Sequence, residues 1–276
     1  MQEIKEYVKN QKEFLKYRIK TFDRQPVFYI IQIGDVEASN IYVRNKIKDC
    51  NEVGIKTQLF KLAESTSKEE LKTLIDAFNC DENSVDAIMV QFPLPNHLEE
   101  KEIMSWINPK KDADGFTNNG ITNPATPQGI ITYLERSHYE FENKNALVIG
   151  RSQIVGKPMA RLLLEKNCNV TVTHSRTSTD KLQEYILHSD LVICATGHVN
   201  LINKKLFPAT CCNNTILFDV GTNRDENGKL VGDCESQLPV VWQSPVPGGV
   251  GLLTRLQLLE NIIKLYEVKN NDRHNG

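Results

Sequence analysis

Apolar and polar positions along the chain switch repeatedly between a helical period and short continuous runs, which predicts helices alternating with buried strands. Ile4, Val8, Leu15 and Ile19 fall at near-helical spacing before Pro26, and the apolar run 27–33, closed by Gly34, predicts a strand. Helical spacing returns over 38–54, and a strand is expected at 55–62. Ser67-Lys68-Glu69-Glu70 then forms a capping box opening a helix with Leu71, Leu74, Ile75 and Phe78 on its apolar face. Residues 86–90 supply the next strand. Parallel strands need crossover connections, so this order predicts an α/β fold with mostly parallel sheets covered on both faces.

The pattern breaks between Asn108 and Pro127 in a stretch rich in Asn, Pro, Gly and Asp, the expected domain junction. Beyond it, 129–135 is predicted helical, and strands are expected at 146–149, 169–173, 191–195 and 216–220. Pro247-Gly248-Gly249-Val250-Gly251 leads into an amphipathic helix ending near Val268, and 269–276 is expected to be a frayed polar tail.

With 276 residues and 40% apolar composition, the chain can bury the cores of two ordinary domains. Its 33 basic and 35 acidic side chains leave a net charge of −2, so no global field draws it to nucleic acid or to an anionic membrane. Small-molecule chemistry is favoured. The N-terminus lacks an apolar signal core and no later run is long enough to cross a bilayer, so a cytoplasmic protein is expected. Seven cysteines, scattered and without a C-x-x-C pair, argue against a disulfide framework or a zinc site, and the six histidines lack ligand spacing. No metal is expected.

Candidate chemistry begins in the second half. Residues 146–158 form an apolar run that turns through Gly150 and Gly156 toward a helix, a geometry that aims backbone N–H groups and the helix dipole at a phosphate. The spacing is not G-x-G-x-x-G, so bare architecture is the alternative. After the strand at 169–173 comes His174-Ser175-Arg176-Thr177, where an NAD-specific Rossmann protein usually places Asp or Glu for the ribose. Hydroxyls and a cation suit a 2′-phosphate and favour NADP, with Arg151 as a second cation; otherwise Arg176 solvates a surface turn.

In the first half, Ser39, Tyr42 and Lys46 stand at i, i+3 and i+7, so hydroxyl, ring and amine share one helix face, either for a ligand or as a solvated surface. Gln91 ends an apolar strand ahead of Phe92-Pro93-Leu94-Pro95, at the carboxyl edge where α/β ligands sit. Asp114 lies in Lys111-Asp112-Ala113-Asp114-Gly115-Phe116, a composition that also describes a plain turn.

These segments, in order, carry a family resemblance: Gly34-Asp35, Ser39 to Val43, Lys46, Val90-Gln91, Lys111 to Phe116, Gly150 to Pro158, His174-Ser175, Asp219-Val220-Gly221 and Pro245 to Gly251. Over nearly its whole length the chain resembles the bifunctional methylenetetrahydrofolate dehydrogenase/cyclohydrolases. The resemblance implies an N-terminal α/β catalytic domain (1–122 plus 252–276, the last helix returning to it) and a C-terminal Rossmann-type domain (123–251), with folate in the cleft between them. It implies catalytic roles for Lys46, Gln91 and Asp114, and substrate contacts from Ser39, Tyr42, Val90, Phe92, Pro247, Gly248, Gly249, Val250 and Gly251. NADP would meet Gly150, Arg151, Ser152, Ser175 and Thr222, with Arg176 added by the local reading above. A homodimer formed through the nucleotide-binding domain is also implied.

Several positions depart from the family. Pro124-Ala125-Thr126-Pro127 lacks the usual cysteine, Leu252-Leu253 replaces Pro-Met, Thr222 replaces isoleucine, and the segments 116–124 and 234–245 are short. The competing expectations are a dehydrogenase without cyclohydrolase activity, a binding protein without turnover, and a two-domain oxidoreductase of the shikimate type, which would leave the Ser39–Lys46 face unexplained.

Overall fold

The computed structural model describes residues 2–117, 121–207 and 214–274. The chain divides into two units, one from Met1–Val8 and Thr126–Thr254, the other from Lys9–Ala125 and Arg255–Gly276.

The second of these holds a three-stranded parallel sheet in the order β2-β1-β3, from β1 (Val27–Ile33), β2 (Lys56–Leu62) and β3 (Ala87–Val90). All of β3 and most of β1 are buried, so these strands read as apolar runs rather than as alternations. Crossover helices α2 (Glu37–Val53) and α3 (Lys68–Cys80) link them, and α3 opens on the expected capping box, Ser67 and Glu70 each bonding the other's backbone N–H. Leu71, Ile75 and Phe78 of α3 pack with Ile31, Ile88 and Val90 in one core. The sequence reading passed over helix α4 (Glu100–Trp106), whose seven residues are too few for a clear period.

Two helices from the ends of the chain give this unit most of their length, α1 (Ile4–Ile19) from Lys9 onward and α8 (Val250–His274) from Arg255 onward. Arg18 of α1 bonds Glu267 of α8 at 2.7 Å, and Phe22 stacks on Tyr266 at 4.7 Å. The frayed tail expected from Lys269 is corrected: the helix runs on to His274. Its continuation follows from Lys269, whose ammonium reaches Asp86 and the Val85 carbonyl at 2.8 Å each, so this turn is fastened from its side.

The other unit is a five-stranded parallel sheet, order β10-β7-β6-β4-β5, from β4 (Asn145–Ile149), β5 (Asn169–Thr173), β6 (Leu191–Cys194), β7 (Ile216–Asp219) and β10 (Trp242–Gln243). A two-stranded antiparallel pair, β8 (Asn223–Arg224) and β9 (Leu230–Val231), lies apart from it. After β4 the chain steps outward to β5 and then back across to β6, which makes the carboxyl ends of β4 and β6 a topological switch point, where ligands of such sheets bind. Helices α6 (Gly156–Glu165) and α7 (Thr179–Leu187) make the crossovers. Helix α5 (Ala125–Arg136) begins four residues before the predicted start because Pro127 sits in its first turn, where a missing N–H breaks no helical bond. Cys50, Cys80, Cys168, Cys194 and Cys234 are free thiols, while Cys211 and Cys212 lie outside the described residues.

Candidate active site

On α2 the predicted face forms. Ser39 is buried with a hydroxyl that has no hydrogen-bond partner among the described residues, Tyr42 is 39% exposed, and Lys46 is half-buried. Lys46 Nζ donates to Gln91 Oε1 and to Met89 Sδ, both at 3.1 Å. Gln91 follows β3, and its own amide nitrogen donates to the Phe92 carbonyl at 2.6 Å, which fixes the amide with its oxygen toward the lysine. Burial pulls the Lys46 ammonium below its ordinary proton affinity, with Asp114 and Cys50 opposing.

Asp114 reaches the same place through sheet register. Asp112 forms a parallel bridge with Ile88, and Ala113 N donates to the Ile88 carbonyl at 3.1 Å, so the segment runs beside β3 toward the level of Val90. The two aspartates divide their work. Asp112 is buried and accepts from Gly115 N and Thr117 N at 2.9 and 2.8 Å, so it makes the turn. Asp114, half-buried, has no hydrogen bond or ion pair to its carboxylate among the described residues. Its pKa is pushed up to about 6 by burial, with Lys46 opposing and Asp112 adding to the rise. Val90 is buried below, and Phe92 stacks on Phe116 with centroids 6.0 Å apart. Met89 and Phe116 are the neighbours that sequence reading missed, since neither carries a polar signal.

In the sheet of five strands, a cavity of 720 Å³ opens at the switch point. Its wall includes Gly150, Arg151 and Ser152 after β4, His174, Ser175 and Thr177 after β5, and Ala195 and Thr196 after β6. A Cβ on Gly150 would stand 2.1 Å from the Ala195 carbonyl oxygen, at a φ of +124° that side chains avoid. The turn therefore needs glycine and leaves backbone open to the cavity. Ser152 Oγ accepts from Val155 N and Gly156 N at 3.2 Å each, turning the chain into α6. Arg176 and Thr222 are exposed and do not line the cavity; Thr179, which opens α7, and His198, Asn203 and Lys205, which follow β6, do, unanticipated because contacts from helix starts and loops leave no periodic trace.

Pro247, Gly248 and Gly249 lead into α8, which opens with Val250 and Gly251, and all five belong to the same unit as this cavity. Gly249 packs so closely that a Cβ would meet the Pro245 carbonyl oxygen at 2.3 Å. Among the described residues no group of His, Cys, Asp and Glu could hold a metal ion, and no helix is long and apolar enough to cross a membrane.

A doubly wound sheet with a glycine turn at its switch point, joined in one chain to an α/β unit presenting a lysine, an amide and a carboxylate, defines a two-unit enzyme of nucleotide-dependent chemistry. Family models confirm and narrow that class. Residues 1–114 match the catalytic domain of tetrahydrofolate dehydrogenase/cyclohydrolase, and 124–270 its NAD(P)-binding domain. The bifunctional protein FolD of Streptococcus agalactiae is 43% identical over 247 residues, 85% of this chain and 84% of that protein. The crystal structure of the bifunctional FolD dehydrogenase/cyclohydrolase from Campylobacter jejuni superposes with a TM-score of 0.89 at 36% identity, covering 96% of this chain and 98% of that one. The Trypanosoma brucei dehydrogenase-cyclohydrolase, complexed with NADP cofactor and inhibitor, gives 0.88 at 28% identity, with 97% of each chain covered. The chain belongs to the tetrahydrofolate dehydrogenase/cyclohydrolase family.

Proposed function

We propose that the protein oxidises 5,10-methylenetetrahydrofolate to the 5,10-methenyl cation with NADP and then hydrolyses that cation to 10-formyltetrahydrofolate. The observation that carries the second activity is the half-buried Lys46, its proton affinity lowered and its Nζ held by Gln91 Oε1 at 3.1 Å. The folate chemistry is assigned to 1–122 plus 252–276, and nucleotide binding to 123–251.

The cavity residues suit the cofactor: Gly150 lets the turn pack directly against the Ala195 carbonyl and puts no side chain of its own at the cavity wall, and Arg151 with the hydroxyls of Ser152, Ser175 and Thr177 offers donors for phosphate. When bound, NADP supplies the hydride acceptor. Arg151 and Ser175 would hold its 2′-phosphate, which sets NADP above NAD; the role of Thr222 rests on the family resemblance alone, and that of Arg176 on the sequence reading of the turn after β5 alone. For the oxidation the chain chiefly orients the substrate, with Tyr42 packed on the aminobenzoyl ring and Ser39, Val90 and Phe92 bounding the folate; a folate contact from Pro247, Gly248, Gly249, Val250 and Gly251 rests on the family resemblance. Asp114, ionised, accepts from the pterin's amino and ring N–H groups.

Hydrolysis needs proton transfer. Neutral Lys46 accepts a proton as water adds to the methenyl carbon, and the carbinolamine then collapses, its O–H proton replaced by one on the departing nitrogen, so one proton is released per turnover. Gln91 keeps the amine aimed at that carbon. We further propose a cytoplasmic homodimer formed through the nucleotide-binding unit. Its edge strand β5, with Val172 41% exposed, supports that surface, and light scattering tests the assembly.

One assay tests the whole reading: methylenetetrahydrofolate is supplied with NADP or NAD, and the ultraviolet-absorbing methenyl species is followed. Formation with enzyme-dependent decay is expected, faster with NADP. Formation without such decay would leave a monofunctional dehydrogenase, and no formation would leave a binding protein without turnover.

A further inference from the structure

The segment that carries Asp114 is held from behind by α8. Asn261, 2% exposed, donates through one amide nitrogen to the carbonyls of Ala113 at 2.9 Å and Asn123 at 3.1 Å, one on each side of the loop. Gln257, one turn earlier and 7% exposed, donates to Asn261 Oδ1 at 3.1 Å and so fixes which way the amide faces. One turn later, Lys264 Nζ donates to the Ile121 carbonyl at 2.7 Å. Positions 257, 261 and 264 stand at i, i+4 and i+7, one face of the helix. From within the loop, Thr122 Oγ1 donates to the Asp112 carbonyl at 2.7 Å, and Ala125 N to the Asp114 carbonyl at 3.2 Å.

Apart from the Gln257 bond to the Asn261 amide oxygen, each of these bonds ends on a backbone carbonyl, leaving the Asp114 carboxylate untouched. A buried carbonyl left without a donor is costly, so the described parts of the segment that these bonds hold, Asp112 to Asp114 and Ile121 to Ala125, are fixed in the position that satisfies them. The Asp114 side chain supplies nothing to that lock; only its backbone carbonyl takes part, accepting from Ala125 N. The placement of its carboxylate beside Lys46 is therefore imposed through the backbone at Ala113 and Asp114.

We propose that Asn261, oriented by Gln257, is a positioning residue for folate recognition: it clamps the Ala113 and Asn123 carbonyls and so sets the Asp114 carboxylate where the pterin must meet it. The proposal rests on the folate role of Asp114, and the test separates the two. Asn261→Leu, with the same number and branching of side-chain heavy atoms, deletes both N–H donors without adding charge. The folate KM should rise about tenfold, the loss of two buried hydrogen bonds spread over a relaxing loop, while the NADP KM stays within about twofold. The pH profile should move as well. Charged groups facing Asp114 are Lys46 on α2 and Asp112 in its own loop, and both persist in the variant. A loop that slips toward water solvates Asp114, so the acid limb of kcat/KM for folate should shift to lower pH, which simple loss of stability would not produce.

Asp114→Asn is measured in parallel, with the double variant. A raised folate KM in each single variant, and no further rise in the double, is the expected result. A normal folate KM in Asn261→Leu beside a raised one in Asp114→Asn overturns the clamp alone. An unchanged folate KM in Asp114→Asn overturns the folate role of Asp114 and the clamp with it. Should Asn261→Leu fail to fold, Gln257→Leu carries the test with a rise of about threefold, since it frees the amide to turn while leaving both carbonyl contacts possible. An unaltered folate KM and acid limb there would equally contradict the clamp.

Discussion

At the scale of single residues, the site depends on two groups whose proton affinities burial moves toward each other. Lys46 is pulled down and Asp114 is pushed up to about 6. Only ionised Asp114 can accept from the pterin N–H groups, so kcat/KM for methylenetetrahydrofolate should fall by about tenfold per pH unit below about pH 6, measured at saturating NADP. A flat profile between pH 5 and pH 7 would remove Asp114 from substrate recognition. The sequence makes part of this site legible. Ser39, Tyr42 and Lys46 share a face because helical spacing alone puts them there, whereas the division between Asp112 and Asp114 depends on which carboxylate meets the amides of Gly115 and Thr117. Asn261 is not legible at all: its partners lie 148 and 138 residues earlier.

At the scale of elements, the turn from β4 into α6 is governed by close packing of backbone on backbone. Gly150→Ala would drive a Cβ into the Ala195 carbonyl and require a positive φ, so it should cost roughly 2–4 kcal/mol of stability and raise the NADP KM more than the folate KM. Denaturant unfolding and steady-state kinetics measure both effects; equal rises in the two KM values would contradict a local role. The strands are read well from sequence, because each central one is an apolar run closed by a turn. Helix boundaries are read less well where a second influence acts. Pro127 looks like a helix breaker but occupies a first turn, and the polar end of α8 looks unfastened although Lys269 ties it to Asp86.

At the scale of the whole molecule, the unit that carries Lys46 is closed by chain ends that lie far apart in sequence. Asp86, fully buried, takes a two-pronged bond from Arg24 at 2.7 and 2.6 Å, another from Lys269 at 2.8 Å, and one from Val27 N at 2.8 Å. Burial alone would raise its pKa, but the bonds from Arg24, Lys269 and Val27 outweigh it and hold the carboxyl below the usual range. A depressed pKa in the folded state means that this contribution is present above the unfolded value, about 4, and is lost as pH falls through the folded one. Asp86→Ala should therefore cost about 2–3 kcal/mol at neutral pH, discounted for the partly exposed Arg24, with the gap to wild type narrowing below about pH 4. Urea unfolding at both pH values checks the sign, and a gap that widens in acid would contradict it. The two-unit α/β plan is legible from the rhythm of strands and helices, but the anchoring of α8 at Asp86 is not, since no local pattern pairs Lys269 with a residue 183 positions away.

The central claim is that one lysine serves hydrolysis while oxidation needs only a correctly held substrate. Lys46→Met, assayed with methylenetetrahydrofolate and NADP while the methenyl absorbance is followed, tests it most directly. The account predicts that the methenyl species still forms, at a reduced rate, and then persists without enzyme-dependent decay; equal loss of formation and decay, or decay at the wild-type rate, would contradict it.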